Sequence, residues 1–500
     1  MWKRDLPRLF GLLCLGGMLI STVFTIPAIH LWERESAVQA AEQRAGTTFL
    51  PLVASEETST AYLPFVAKRA PVFDTFGVEI YRISNAYGLQ KASEAGTTLV
   101  RRNGLLWSEV EATKGTYQWN ASLEQELKTA QQNGMQVILV VRGTPSWARQ
   151  YSDYPCGRIK TDALNDFAEF LYQAVKRYSV APYNVRYWQI WNEPDATRLA
   201  EYQNTDSVYG CWGDPNEPYY GGAYYAEVLK AVYPRMIQAA QEVKTSIKVV
   251  VGGLLMWCNP NLSICTDEQA TYLEGILANG GGNFFDMVAF HAYDYYYNRL
   301  GQYGNDNWGA RWNESTVISK KLQFLREILA RYNLVRPIIV TEAALKCGQT
   351  GDEPFCQADT LENTKAYYVA QNYALSRVEG IPINIWYSLS STWANTALLD
   401  RNNNPKPAYY AFKVVREKLD GASFNRTITE YTNLRGYEFL SHGKRIWFIW
   451  SIAEDANKNS VPVNITLPSV PSAIWDVFGN AVTPSGNSLT VEVKPLYIEW

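Results

Sequence analysis

The segment Arg186-Tyr187-Trp188-Gln189-Ile190-Trp191-Asn192-Glu193-Pro194 is a short, largely apolar run that stops on a polar pair and a proline. Its aromatic and branched residues read as a strand, Arg186–Trp191. Trp191-Asn192-Glu193-Pro194 closes that strand. Seven more runs of this kind flank it: Phe76–Tyr81, Thr97–Arg102, Gln136–Arg142, Lys248–Gly252, Met287–His291, Pro337–Thr341 and Pro382–Tyr387. Most are apolar throughout, as expected of parallel strands covered on both faces. Amphipathic stretches lie between them, among them Ser122–Gln132, Asp162–Arg177, Tyr224–Val243, Thr316–Arg331 and Asn363–Val378. Ser122 with Gln125 reads as a capping box, and Gly134 follows the end of that helix. Eight strand–helix units predict an α/β chain folded as a (β/α)8 TIM barrel. A doubly wound sheet would want a glycine-rich turn after the first strand, which is absent.

Beyond about Leu419 the pattern changes. Gly436–Trp450, Val461–Leu467, Ile474–Val477 and Ser488–Ile498 alternate with period two and predict a small antiparallel β domain. At the other end, Lys3, Arg4 and Arg8 precede an apolar run from Leu9 to Leu31. That is the pattern of a secretory signal peptide or an uncleaved membrane anchor, and either exports the body. The expected organisation is signal or anchor at 1–36, flexible linker at 37–72, barrel at 73–420 and a small β-sandwich-like domain at 421–500. Membrane contact is expected only through an uncleaved N-terminal segment.

Cys14 lies in the apolar run, leaving Cys156, Cys211, Cys258, Cys265, Cys347 and Cys356. Six cysteines allow 15 pairings, and sequence alone does not choose among them. Cys258/Cys265 and Cys347/Cys356 are each close enough to staple one loop, which would leave Cys156 with Cys211. Three disulfides suit an oxidising compartment; free buried thiols are the alternative.

Composition narrows the function. Lys and Arg total 46 against 49 Asp and Glu in 500 residues, so there is no basic excess for a nucleic-acid partner. There are three histidines, and no HExxH, CxxC or GxxxxGK[ST] motif, so zinc hydrolysis and Walker-type chemistry lack their residues. No metal or cofactor is called for. Aromatic residues reach 14%, a supply of flat faces for stacking on a ligand.

The chemistry-bearing residues sit where barrel strands end, the face on which barrel active sites form. Glu193 closes the fourth strand beside Asn192. Glu342 follows Arg336-Pro337-Ile338-Ile339-Val340-Thr341 and closes the seventh. Paired carboxyls across a cleft are what glycosidic cleavage needs: one protonates the leaving oxygen and the other attacks or activates water.

With these residues the stretch from Phe76 to Leu419 resembles the retaining glycoside hydrolases of clan A, the 4/7 superfamily of barrels, and is most like families 39 and 5. The resemblance implies Glu193 as acid/base after Asn192, and Glu342 as nucleophile after Thr341. It also implies Arg101, on the second strand with Arg102 beside it, near the nucleophile. In His291-Ala292-Tyr293 on the sixth strand, the tyrosine would hydrogen-bond the nucleophile. Trp386 on the eighth strand would be an aromatic platform under the sugar. Trp107-Ser108-Glu109-Val110-Glu111 with Gly115, Tyr117 and Trp119 is similar to the segment after strand two, Ala112 standing where the pattern has proline. The function so implied is hydrolysis of β-O-glycosidic bonds in a poly- or oligosaccharide. A non-catalytic cell-surface glycan-binding barrel and a transglycosylase on the same scaffold are the alternatives.

Overall fold

The computed structural model describes residues 76–150, 156–197, 210–266 and 268–500. The expected signal or anchor and the linker lie outside the described residues. Among the described residues, no helix is long and apolar enough to cross a membrane.

Eight parallel strands close into a barrel: β1 (Phe76–Glu79), β2 (Leu99–Leu106), β3 (Gln136–Arg142), β4 (Tyr187–Ile190), β5 (Lys248–Leu254), β6 (Met287–Tyr296), β9 (Ile338–Lys346) and β10 (Asn384–Trp386). β5 pairs with β6 and β10 with β1, so the ring has no free edge. The short strands β7 (Tyr303–Asn305) and β8 (Ala310–Arg311) extend β6 as an antiparallel excursion. Helices α1 (Leu89–Glu94), α2 (Trp107–Val110), α3 (Ala121–Gln132), α4 (Leu164–Tyr178), α5 (Gly222–Glu242), α6 (Tyr272–Ala278), α7 (Val317–Arg331), α8 (Asp359–Val378) and α9 (Pro407–Leu419) fill the connections. The cap of α3 is Asn120 rather than Ser122. Its side chain accepts from the backbone N–H groups of Ser122 and Leu123, at 2.9 and 3.1 Å.

Side-chain alternation sorts each strand into two faces. Leu99, Ile138, Val250, Ala289, Ile339 and Ile385 point inward and form a buried plug of their own. The alternate residues, such as Val100, Leu139, Val251 and Val340, join the layer shared with the helices. One step of two residues above the plug, the inward positions turn polar: Arg101 follows Leu99, and His291 follows Ala289.

Glu342 reaches this layer through an irregularity. Phe290 pairs with Val340, but His291 pairs with Glu342, so β9 holds one residue too many at Thr341. β10 shows the same shift, with Asn384 opposite Val340 and Trp386 opposite Ala343. Regular alternation from inward Ile339 would send Glu342 outward; the bulge brings it level with His291.

C-terminal to α9, β11 (Ser423–Thr427), β12 (Leu434–Ser441), β13 (Lys444–Ser451), β15 (Ala473–Asp476) and β17 (Leu496–Glu499) form one antiparallel sheet. β14 (Val463–Thr466) and β16 (Ser488–Val491) form a second. The run expected as one strand over Gly436–Trp450 is a hairpin turning at His442 and Gly443, both with positive φ. Tyr437, Phe439, Phe448 and Tyr497 share the barrel's core, while Trp447, Ile449 and Ile498 pack on the opposite side with Ile465 and Leu489.

Three disulfides join Cys156 to Cys211, Cys258 to Cys265 and Cys347 to Cys356. The first ties the loop after β3 to the loop after β4, at the mouth of the barrel.

Candidate active site

A cavity of about 1140 Å3 opens at the C-terminal ends of the strands, and Asn192, Glu193, Tyr293 and Glu342 line it. Arg101 lies beneath, fully buried, with four partners. Its Nη1 serves Glu79 and Glu342 (2.6 Å to Glu342 Oε1), its Nη2 Asn192 Oδ1 and its Nε Gln189 Oε1 at 3.3 Å. Burial would discharge the guanidinium, but Glu79 and Glu342 raise its pKa above the ordinary value. Arg102, its neighbour in sequence, points elsewhere and pairs with Glu126.

Glu342 is held at both oxygens. Oε1 accepts from Arg101 and Oε2 from the Tyr293 hydroxyl. Burial raises its pKa, and His291 and Arg101 act against that rise. Burial also lifts the Tyr293 hydroxyl well above its usual range, so it stays a donor.

Among the described residues, Glu193 has no cationic hydrogen-bond partner. Its Oε1 lies 2.7 Å from His291 Nδ1, and its Oε2 is buried without a partner. Burial pushes its pKa up to about 7, opposed chiefly by Arg101. The backbone that carries it is tightly wound: Trp191 and Glu193 have φ of 73° and 46°, a left-handed region unusual for such residues. Trp191 N bonds Val141 O at 2.7 Å and Glu193 N bonds Gly253 O at 3.1 Å, pinning the turn to the strands on either side.

His291 stands between the two carboxyls, with Nδ1 also 3.4 Å from Glu342 Oε2. Burial lowers its pKa to about 3, so the ring is neutral. Among the described residues Nε2 has no partner, and an unmatched acceptor costs less than an unmatched N–H; the proton therefore belongs on Nδ1. Gly253 makes this seat available. A Cβ there would lie 2.1 Å from His291 Nε2.

Around these groups stand supports the sequence did not announce. Asp195 accepts from the Leu255 and Met256 N–H groups at 2.9 and 2.8 Å. Buried Lys321 donates to Leu255 O and His291 O, at 2.6 and 2.8 Å, tying β5 to β6. Tyr295, Lys346, Tyr387 and Trp393 line the cavity, and Lys346 Nζ sits 4.5 Å from the centre of the Trp393 ring.

Arg101, Asn192, Glu193, His291, Tyr293 and Glu342 therefore come together at one site; Trp386 does not. It is fully buried on the helix side, donates to Thr396 O at 3.0 Å and packs near Tyr368. Ile383 and Ile385 point inward, so alternation turns Trp386 outward and brings Tyr387 to the cleft.

Glu193, His291 and Glu342 each place one donor atom within 4.8 Å of the others, close enough to consider a metal. Arg101 and Tyr293 already bond both Glu342 oxygens, and the guanidinium would repel a second cation there.

The chain matches the cellulase family, glycosyl hydrolase family 5, over residues 67–379. It belongs to that family. Clan A membership follows, as does a glycosidase activity of the retaining class. Solved structures agree on the fold of this family 5 hydrolase. A family 39 glycoside hydrolase from Bacteroides cellulosilyticus shares 20% identity with a TM-score of 0.63, over 84% of this chain and 80% of that one. A conserved exported protein from Bacteroides fragilis shares 12% with a TM-score of 0.57, over 86% and 98%. A family 30 subfamily 8 xylanase from Clostridium acetobutylicum shares 14% with a TM-score of 0.54, over 87% and 98%. Comparison with curated proteins finds no match.

Proposed function

We propose that this hydrolase cleaves β-O-glycosidic bonds of a poly- or oligosaccharide, with Glu342 as nucleophile and Glu193 as acid and then base. The observation that carries this reading is the spacing of the two carboxyls, whose oxygens lie within 4.8 Å across His291. Retaining enzymes hold the pair about 5–5.5 Å apart, whereas inverting ones leave roughly 6.5–9.5 Å for a water.

Electrostatics divides the roles. One guanidinium stands among Glu79, Glu193 and Glu342, and it bonds Glu79 and Glu342. The carboxyl without a cation holds its proton best, and that is Glu193, with Oε2 free to carry it. In the first step a Glu342 oxygen attacks the anomeric carbon as the glycosidic C–O bond breaks. Glu193 gives its proton to the departing oxygen. In the second, Glu193 takes a proton from water, the hydroxide oxygen bonds the anomeric carbon, and Glu342 leaves as carboxylate. Two inversions restore the starting configuration. Asn192, its Oδ1 fixed by Arg101, is set to bond a sugar hydroxyl beside the reacting carbon. Three disulfides support an extracellular workplace, as does the likeness to an exported protein.

A panel of aryl β-glycosides and plant polysaccharides tests this, with NMR following the anomer first released and Glu342→Ala run alongside. Retained configuration that vanishes in the variant supports the reading. Glycan binding without turnover, unchanged in Glu342→Ala, refutes it.

A further inference from the structure

The cavity holds a guanidinium that the two-glutamate chemistry does not use. Arg142 ends β3, and its side chain lines the same cavity as Glu193 and Glu342. Its Nε donates to Asn103 Oδ1 at 2.8 Å. The two terminal nitrogens have no hydrogen-bond or ion-pair partner among the described residues, and they are open to the cavity.

The acidic side chains of this wall are mostly committed elsewhere. Glu79 is bonded to Arg101. Glu126 takes Arg102 in a two-pronged contact, at 2.6 and 3.1 Å, and also accepts from the Ile83 N–H. Glu109 is exposed and attracts Arg142 through space without a hydrogen bond to it. Arg82, exposed on the rim of the cavity, is likewise without an ion pair among the described residues. Guanidinium and carboxylate are balanced in number on this wall, but Glu79 and Glu126 are bonded to Arg101 and Arg102, so the terminal fork of Arg142 is left with no carboxylate in contact. Burial and then the like charge of Arg102 disfavour the Arg142 guanidinium, Glu109 and Glu79 offset part of that, and an anion on its free edge would favour it further.

We propose that Arg142 anchors a subsite for a sugar unit bearing an anionic substituent, so that the glycan cleaved here is an acidic one. The proposal rests on the hydrolase reading above and adds the substrate class. A guanidinium offers two parallel N–H groups to one planar carboxylate, and Arg142 has that edge unoccupied. A uronosyl carboxylate matches the fork; a sulfate ester presents the same charge with tetrahedral oxygens. The cavity, about 1140 Å3, exceeds the roughly 300–1,000 Å3 of a pocket for one small ligand. A glycan bound across the carboxyl pair thus has room for a second unit on the Arg142 wall.

The test compares each oligosaccharide with its neutral counterpart. The full chain is assayed on glucuronosyl-bearing oligosaccharides, on the same molecules with the carboxyl reduced to an alcohol, and on sulfated and desulfated pairs. The quantity read is the ratio of kcat/KM, charged over neutral, so that a general loss of activity cancels. Charge-assisted bonds of this kind predict a ratio of about tenfold or more for the wild type. Arg142→Gln should bring the ratio to about one, and Arg142→Lys should leave it between. Preference for the carboxylated or the sulfated series names the anion. A wild-type ratio near one overturns the proposal even if the variants do not fold, as does Arg142→Gln keeping the wild-type ratio. If no oligosaccharide is cleaved, the hydrolase reading fails. Calorimetric titration of the same pairs then decides the subsite separately, equal affinity for charged and neutral forms overturning it.

Discussion

Gly253 offers a sharp perturbation of the site because its substitution removes none of the site's functional groups. A Cβ at Gly253 would stand 2.1 Å from His291 Nε2, where ordinary contact begins near 3.4 Å. Thr341 Oγ1, at 2.7 Å, blocks relief on that side. The imidazole must therefore recede by about 1.3 Å, the difference between those two distances. That movement is comparable to the margins it would disturb: Nδ1 lies 2.7 Å from Glu193 Oε1 and 3.4 Å from Glu342 Oε2. A displacement of about 1 Å at a reacting group typically costs around 100-fold in rate, and overpacking costs about 1–3 kcal/mol of stability. Gly253→Ala is thus expected to stay folded and lose about 100-fold in kcat on an aryl glycoside. Steady-state kinetics with a circular dichroism melt checks both halves. A folded Gly253→Ala with wild-type kcat would show that His291 does not hold the glutamates in register.

Two further outcomes follow from the structure. The proposed first step needs Glu193 protonated, and burial raises its pKa to about 7. kcat/KM should therefore fall as pH rises through about 7, because the acid proton is lost; Glu193→Gln should remove that alkaline limb, and a limb surviving in the variant rejects the assignment. Asn120→Ala should cost about 1 kcal/mol by uncapping α3 while Ser122→Ala costs little, read as shifts in denaturation midpoint; equal shifts reject Asn120 as the cap.

Much of the barrel is legible in the chain because apolar runs at parallel-strand length carry their own signal. β3 begins and ends where the run Gln136–Arg142 does. β6 and β9 run on to Tyr296 and Lys346, past the ends suggested by composition, because polar residues there still find ladder partners at the mouth of the barrel. Position at strand ends was enough to nominate Glu193 and Glu342, since a carboxyl after an apolar strand has few structural reasons to be there. Trp386 faces the helices although its place on the eighth strand suggests the cleft, and the alternation of Ile383 and Ile385 points instead to Tyr387. Asn120 is masked in the sequence because Ser122 and Gln125 imitate a capping box, and only backbone geometry separates the two.

The sequence by itself determined the alternation of strand and helix, the eight-fold repeat and the two strand-end carboxyls, because periodicity and local composition act over a few residues. Tertiary structure alone decided the surroundings of each of those carboxyls. Arg101 reaches Glu79 and Glu342 across 22 and 241 residues, while Glu193 meets neutral His291 across 98. The bulge at Thr341 that turns Glu342 inward is a register between strands, not a property of either one. Charge balance and register are long-range quantities, fixed only when distant strands close into one ring.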